Sequence, residues 1–301
     1  MALLLPTKCL LNGALTCSPK FISSFHVFVS GTGRGFETAP LRKHKRWRSL
    51  PVDRAEYLKR IDYSDVIDVT DEVLTILHKN HVFQIPFENL DVYYKKTFNL
   101  DIGNIYHKVI NNRRGGFCYE LNLLFNWLLT DIGFSSRIIA SRIFNEDRTV
   151  GPEFDHMSIY VNAGREYLLD VGYGDLFVTP IEIKEGVQFD GRNYFEIDKW
   201  SKNEYVISMS ADGLSFSKKY TFSLDVVNTN DFETICLDKQ TNPNSYFVKN
   251  VVCTKPTVTG RVTIFNDKLV EKNGELRMER TIQSEENFTR CLKDKFGIEI
   301  R

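Results

Sequence analysis

The chain has 301 residues, 42% of them hydrophobic and 26% charged, the balance of a globular protein with room for two or three domains. Lysine plus arginine equals aspartate plus glutamate at 39 each, so there is no net field to favour a nucleic acid partner, and no apolar run approaches the roughly 20 residues a membrane helix needs. The six cysteines (Cys9, Cys17, Cys118, Cys236, Cys253, Cys291) show neither CxxC pairing nor dense spacing, which argues against a zinc ribbon or a disulfide scaffold and points to a reducing compartment with no metal.

Residues 1–51 differ from the rest: no acidic residue precedes Glu37, and the basic run RKHKRWR closes the segment at Arg48. Three readings fit this bias: an organelle-targeting peptide, a disordered leader, or a misplaced start. The cytoplasm is the expected location, or an organelle if the leader is an address. From Val52 the pattern is that of a folded chain. Asp53 is placed to cap a helix through RAEYLKRI, DEVLTILHKNH after Thr70 repeats apolar residues at helical spacing, and IGNIYHKVINN predicts a third helix. The fourth is the clearest, with Leu121, Leu124, Phe125, Leu128, Leu129 and Ile132 on one face and Gly133 at the C-cap position.

After Phe134 the period changes to two. SSRIIASRIF, HMSIYV, EYLLDVGY, NYFEID, EYVISMS and KKYTFSLDVV are short, β-branched or aromatic, and separated by turn residues, which predicts an antiparallel sheet or barrel. From about Asp231 a mixed region follows, with strands expected at FVKNVVCTK, GRVTIFND and KLVEKNG and a closing helix near SEENFTRCLKDKFG. The fold class is therefore α+β, divided as a leader (1–51), a helical domain (52–134), a β domain (135–230) and an α/β piece (231–301).

The stretch NRRGGFCYELN sets Cys118 at the start of the fourth helix, where unpaired backbone N–H groups and the helix dipole favour a thiolate. The glycines before it permit a tight turn and a close approach by a substrate. A nucleophilic cysteine needs a base, and the base an orienting group. Of the six histidines, His26 and His44 lie in the leader, His78 and His107 sit among lysines as solvent-facing residues, and His81 reads as a capping or core residue. His156 begins a strand whose returning partner carries Asp170. If Asn162, Ala163 and Gly164 form a three-residue loop, Val161 pairs with Arg165 and His156 stands directly opposite Asp170, within reach of an imidazole N–H. A register shift of one would put the two on opposite faces.

Together RRGGFCYELN, DHMSIYV and YLLDVGYG, with IPFENLDV upstream, resemble the signature blocks of the arylamine N-acetyltransferase family from about Val52 onward, most strongly to Gly174. The resemblance implies a helical bundle, a central antiparallel β-barrel and an α/β lid around a cysteine-protease-like Cys-His-Asp core. It implies Cys118 as the acetylated nucleophile, His156 as base and Asp170 as orienter, with Glu88, Arg114 and Asn122 as structural support. Phe117, Asp155, Gly172 and Gly174 would border the coenzyme, and Phe87 the acceptor. The implied reaction is ping-pong transfer from acetyl-CoA to an aromatic amine, hydrazine or N-hydroxyarylamine, with no nucleic acid and no membrane as partner. A cysteine hydrolase, an amide synthase or a transglutaminase-like enzyme would use the same triad in the same chain order.

Overall fold

The computed structural model describes residues 52–300, and the leader with its basic run lies outside them. Helix α1 (Arg54–Arg60) starts where the Asp53 carboxylate accepts the Ala55 N–H, and α2 (Asp71–Gln84) where the Thr70 hydroxyl accepts that of Val73. A two-residue strand β1 (Phe87–Glu88) and a single turn α3 (Leu90–Tyr93) follow. The third expected helix is α4 (Ile102–Tyr106), which widens into a π-helical turn at His107–Asn111. Helix α5 (Cys118–Ile132) ends at Gly133, whose φ of 116° suits a residue without a side chain.

An eight-stranded antiparallel sheet comes next: β2 (Ser135–Ile143), β3 (His156–Asn162), β4 (Glu166–Leu169), β5 (Ile181–Glu182), β6 (Val187–Phe189), β7 (Tyr194–Lys199), β8 (Glu204–Ser210) and β9 (Ser217–Ser223). Its order, β5-β4-β3-β2-β9-β8-β7-β6, curls into a nearly closed barrel. The two edges meet through the Gln188 side chain, which bonds the backbone N–H and carbonyl of Glu182 at 2.9 and 2.7 Å. Helix α6 (Glu233–Thr241) and the turn α7 (Tyr246–Lys249) lead to β10 (Val252–Thr257), β11 (Gly260–Phe265), β12 (Lys268–Asn273) and β13 (Leu276–Thr281), and α8 (Glu285–Cys291) closes the chain with a π-helical turn at Leu292–Phe296.

Several expectations need correction. Phe247 to Lys249 form the turn α7 and not the start of a strand, because Ser245 caps them through the Phe247 N–H. Strand β13 carries too weak a signal to be read from the sequence, because all six side chains are exposed and only Leu276 and Met278 are apolar. Helix α6 was hidden in the same way, burying only Cys236 and Gln240. The helical part also contributes a strand: Phe87 pairs with Thr254 and Glu88 with Cys253, so β1 is the edge of the C-terminal sheet. Two residues are too short to show a period.

One core runs through the helical and barrel regions, joining Leu121, Leu124, Phe125 and Leu128 of α5 to Met157, Ile159 and Val161 of β3 and reaching Phe232, Cys236 and Val252. Burying these side chains is worth about 1.5–3 kcal/mol each, so the fourth helix is held by the barrel it packs on and not by its own propensity.

Candidate active site

The loop before α5 is pinned from three sides. Gly115 lies so close to the Pro86 carbonyl that a Cβ would collide with it, and the Glu88 N–H donates to the Gly116 carbonyl at 3.0 Å. Arg114 holds the fully buried Glu88 carboxylate at 2.7 Å and Asp91 at 3.1 Å. Lys108 joins Asp91 at 2.7 Å to Glu120 at 2.8 Å, and Glu120 in turn accepts the Phe117 N–H at 2.8 Å. The start of α5 is thereby fixed, and its first N–H groups, from Cys118 to Glu120, have no carbonyl one turn back to bond.

Cys118 is 5% exposed. Burial pushes its thiol up from the ordinary range; the Lys239 ammonium pulls the other way, and Cys236, Asp170 and Asp155 add to the rise. Burial thus opposes the thiolate that the start of the helix favours.

The register on the far side differs from expectation by two. Asn162 pairs with Glu166, so the loop is Ala163, Gly164 and Arg165, with Gly164 at φ 87°. Continuing this ladder sets His156 opposite Gly172 and not Asp170. An even shift keeps His156 and Asp170 on one face. Strand β4 ends at Leu169, and the freed Asp170 meets His156 diagonally, its Oδ2 2.6 Å from Nε2. Both side chains are buried.

Asn122, one turn into α5 from Cys118, ties the helix to this pair. Its Nδ2 donates to Asp170 Oδ1 at 2.9 Å and to the Met157 carbonyl at 2.6 Å, while its Oδ1 accepts the Val171 N–H at 2.9 Å. Gly172 donates its N–H to Asp170 and packs on Cys118, since a Cβ there would stand 2.8 Å from the Cys118 Cα. Burial opposes the charge on Asp170, but His156, Asn122 and Gly172 together hold its carboxyl below the usual range. The imidazole is flanked by the rings of Tyr220 at 5.4 Å and Tyr173 at 5.7 Å.

Two residues that the sequence did not single out belong to this cluster. His78 is fully buried, contrary to its expected solvent position: Nδ1 bonds the Val178 carbonyl at 3.1 Å, and Nε2 accepts the Asp170 N–H at 3.3 Å. Burial pushes its pKa down to about 4, so it is neutral. The signal was its place on the stripe of Leu74 and Leu77, masked by Lys79 and Asn80. Lys239 of α6 pairs with Asp155 at 2.6 Å, and the Asp155 carboxylate also accepts the Ile143 N–H at 3.3 Å. Asp155 therefore presents no free negative charge beside His156. The Tyr119 hydroxyl reaches the carbonyls of Phe154 and Asp155, both at 2.9 Å.

Aromatic rings wall the cysteine. Phe117 contacts Phe87 at 5.8 Å and Phe247 at 4.5 Å between ring centroids. Gly174, at φ 88°, lies against Phe87 and Thr254, and its carbonyl accepts from Arg261. Among the described residues no group of three or more His, Cys, Asp or Glu is arranged to hold a metal, and no helix is long and apolar enough to cross a membrane.

Comparison with known proteins gives a consistent result. A family model described as N-acetyltransferase matches residues 70–301. The Gallus gallus arylamine N-acetyltransferase pineal gland isozyme NAT-10 is 27% identical over 272 residues, covering 81% of this chain and 93% of its own. The structure of Mycobacterium marinum arylamine N-acetyltransferase in complex with CoA superposes with a TM-score of 0.75 at 25% identity, covering 82% of this chain and 93% of its own. The Salmonella typhimurium enzyme shares the fold, with a TM-score of 0.78 at 23% identity over 84% of this chain and 93% of its own.

Proposed function

Since the chain belongs to the arylamine N-acetyltransferase family, we propose that it transfers an acetyl group from acetyl-CoA to a small aromatic amine or hydrazine through an acetyl-Cys118 intermediate. The observation that carries this reading is the His156–Asp170 bond of 2.6 Å, tied by Asn122 to the helix that begins at Cys118.

With Nε2 committed to Asp170, His156 keeps Nδ1 for proton transfer. Because a lone thiolate is costly in a buried site, the Cys118 proton moves to His156 as the nucleophile forms, and the two charges arise together. The sulfur attacks the thioester carbonyl, and the oxyanion is received by N–H groups at the start of α5. As the tetrahedral adduct collapses, the carbon–sulfur bond to CoA breaks and His156 returns the proton to the leaving thiolate. An amine then attacks the acetyl-cysteine, His156 takes a proton from its nitrogen, and Cys118 is released. Asp170 holds the imidazole tautomer and stabilises its cation in both halves.

In this reading residues 52–134 supply the nucleophile, 135–230 the base and its orienter, and 231–301 the closing wall. Gly172 and Gly174 border the coenzyme, with Phe117 beside the thiol and Phe87 facing the acceptor. The free thiols of Cys118, Cys236, Cys253 and Cys291 suit a reducing compartment, and the cytoplasm is the place of action we assign. The test is intact-protein mass spectrometry after mixing with acetyl-CoA and no amine, followed by peptide mapping. One acetyl group on Cys118, discharged by an arylamine, is the expected result. CoA release without an adduct would instead indicate hydrolysis, and the absence of both adduct and CoA release would overturn the reading.

A further inference from the structure

We propose that Arg60, Arg113 and Lys255 form a binding site for a phosphate-type oxyanion behind the loop that carries Cys118. Arg60 ends α1 and is 6% exposed. Its Nη1 donates to the Gln84 carbonyl at the end of α2, 2.9 Å away, and its buried Nε has no partner among the described residues. A guanidinium so placed ordinarily has a carboxylate, because an uncompensated buried charge is costly. Three enclosed cations near Cys118 follow that rule: Arg114 has Glu88, Lys108 has Glu120, and Lys239 has Asp155.

Around Arg60 the neighbouring charges have the same sign. Gln84, which holds Arg60, is two residues from Pro86. Gly115 rests on the Pro86 carbonyl, so Arg113 arrives on the same side. Strand β1 pairs with β10 as Phe87 to Thr254, which sets Lys255 beside Pro86. Arg113 and Lys255 form no ion pair among the described residues, and neither does Asp62, the nearest acid in sequence. Burial and the Arg113 guanidinium push Arg60 down to about 10, and burial and Arg60 depress the Lys255 ammonium in the same way. Arg113 is exposed and Lys255 half-buried, so the cluster opens to solvent.

Three cations and no carboxylate suit a doubly charged ligand, and the planar guanidinium fork matches the spacing of phosphoryl oxygens. Neither Cys118 nor His156 takes part, so the site is independent of acetyl transfer. Occupancy would fasten Arg113, and with it the glycines on which α5 is hung.

The test is thermal melting of the full-length protein in increasing inorganic phosphate at constant ionic strength, beside an Arg113→Gln/Lys255→Gln double variant that leaves Arg60 in place. A saturable rise in Tm is expected in the native sequence, with affinity weaker by about tenfold or more in the variant. Without phosphate the variant should melt no lower, because two like charges have been removed from beside Arg60. A rise that is absent, unsaturated or equal in the two proteins overturns the site. So does a phosphate-free variant that melts well below the native sequence, since the cations would then hold the protein and not a ligand. Adenosine 3′,5′-bisphosphate in a parallel titration of both proteins separates the sources: only the part of its binding that the double variant loses belongs to this site, and if that part is tighter than phosphate it marks a phosphorylated metabolite, if equal the free ion.

Discussion

At Asp170 a single carboxylate serves three partners: the His156 ring, the Asn122 amide and the Gly172 N–H. Asp170→Asn keeps the shape but removes the charge that stabilises the imidazolium, and it can turn an N–H toward Nε2. The expected outcome is a fall in kcat/KM of roughly 10⁴ with a urea midpoint that shows a folded protein; an unchanged rate would refute the assigned role. At this scale much was legible. Cys118, His156 and Asp170 can be singled out from a thiol at a helix start and a histidine–carboxylate hairpin, whereas Asn122 comes only through the resemblance to the family's blocks. His78 was not legible, because nothing in HKNH says that the strand after the barrel hairpin will need a buried acceptor for the Asp170 N–H.

Between elements, α6 is clasped to the start of β3 by Lys239 and Asp155, 2.6 Å apart. Lys239 is also the cation that draws the Cys118 thiol back from the rise caused by burial. Lys239→Gln should therefore move the alkylation of Cys118 by iodoacetamide to higher pH, and Lys239→Arg should restore it. Equal pH profiles in all three proteins would remove Lys239 from the account. The other joint lies where Arg114 enters. Arg114→Gln leaves the fully buried Glu88 without its cation and should cost about 3–5 kcal/mol in chemical denaturation; a loss under about 1 kcal/mol would show the pair to be ornamental. Helix and barrel elements were readable because their buried stripes keep strict periods. The hairpin register was off by two because Gly164 accepts the left-handed conformation in the second place of the loop as readily as in the third.

Across the whole molecule, buried histidines set the response to acid. His78 titrates at about 4 when folded and near 6.5 when unfolded, so between those values the unfolded chain binds a proton that the native state refuses. Stability should then fall as pH drops from about 6.5 to about 4, by about 1.4 kcal/mol per unit for this residue. Burial depresses His81 in the same sense, while Asp170, held low, loses its contribution only at still lower pH. Urea melts at about pH 7 and about pH 5 check the sign, and His78→Gln should flatten the slope. The overall architecture of helices, barrel and α/β piece followed from the change of period at Phe134. The interlock of β1 with β10 did not, because two residues carry no pattern and their partner lies 165 or more positions away (Glu88 with Cys253, Phe87 with Thr254). That interlock bears on synthesis. A ribosome completes Cys118, His156 and Asp170 first, and the strand that backs Phe87 follows on the order of ten seconds after Cys118. Until then the nascent chain carries Cys118, His156 and Asp170 with one wall missing, and the site closes at Phe87 only once β10 has been made.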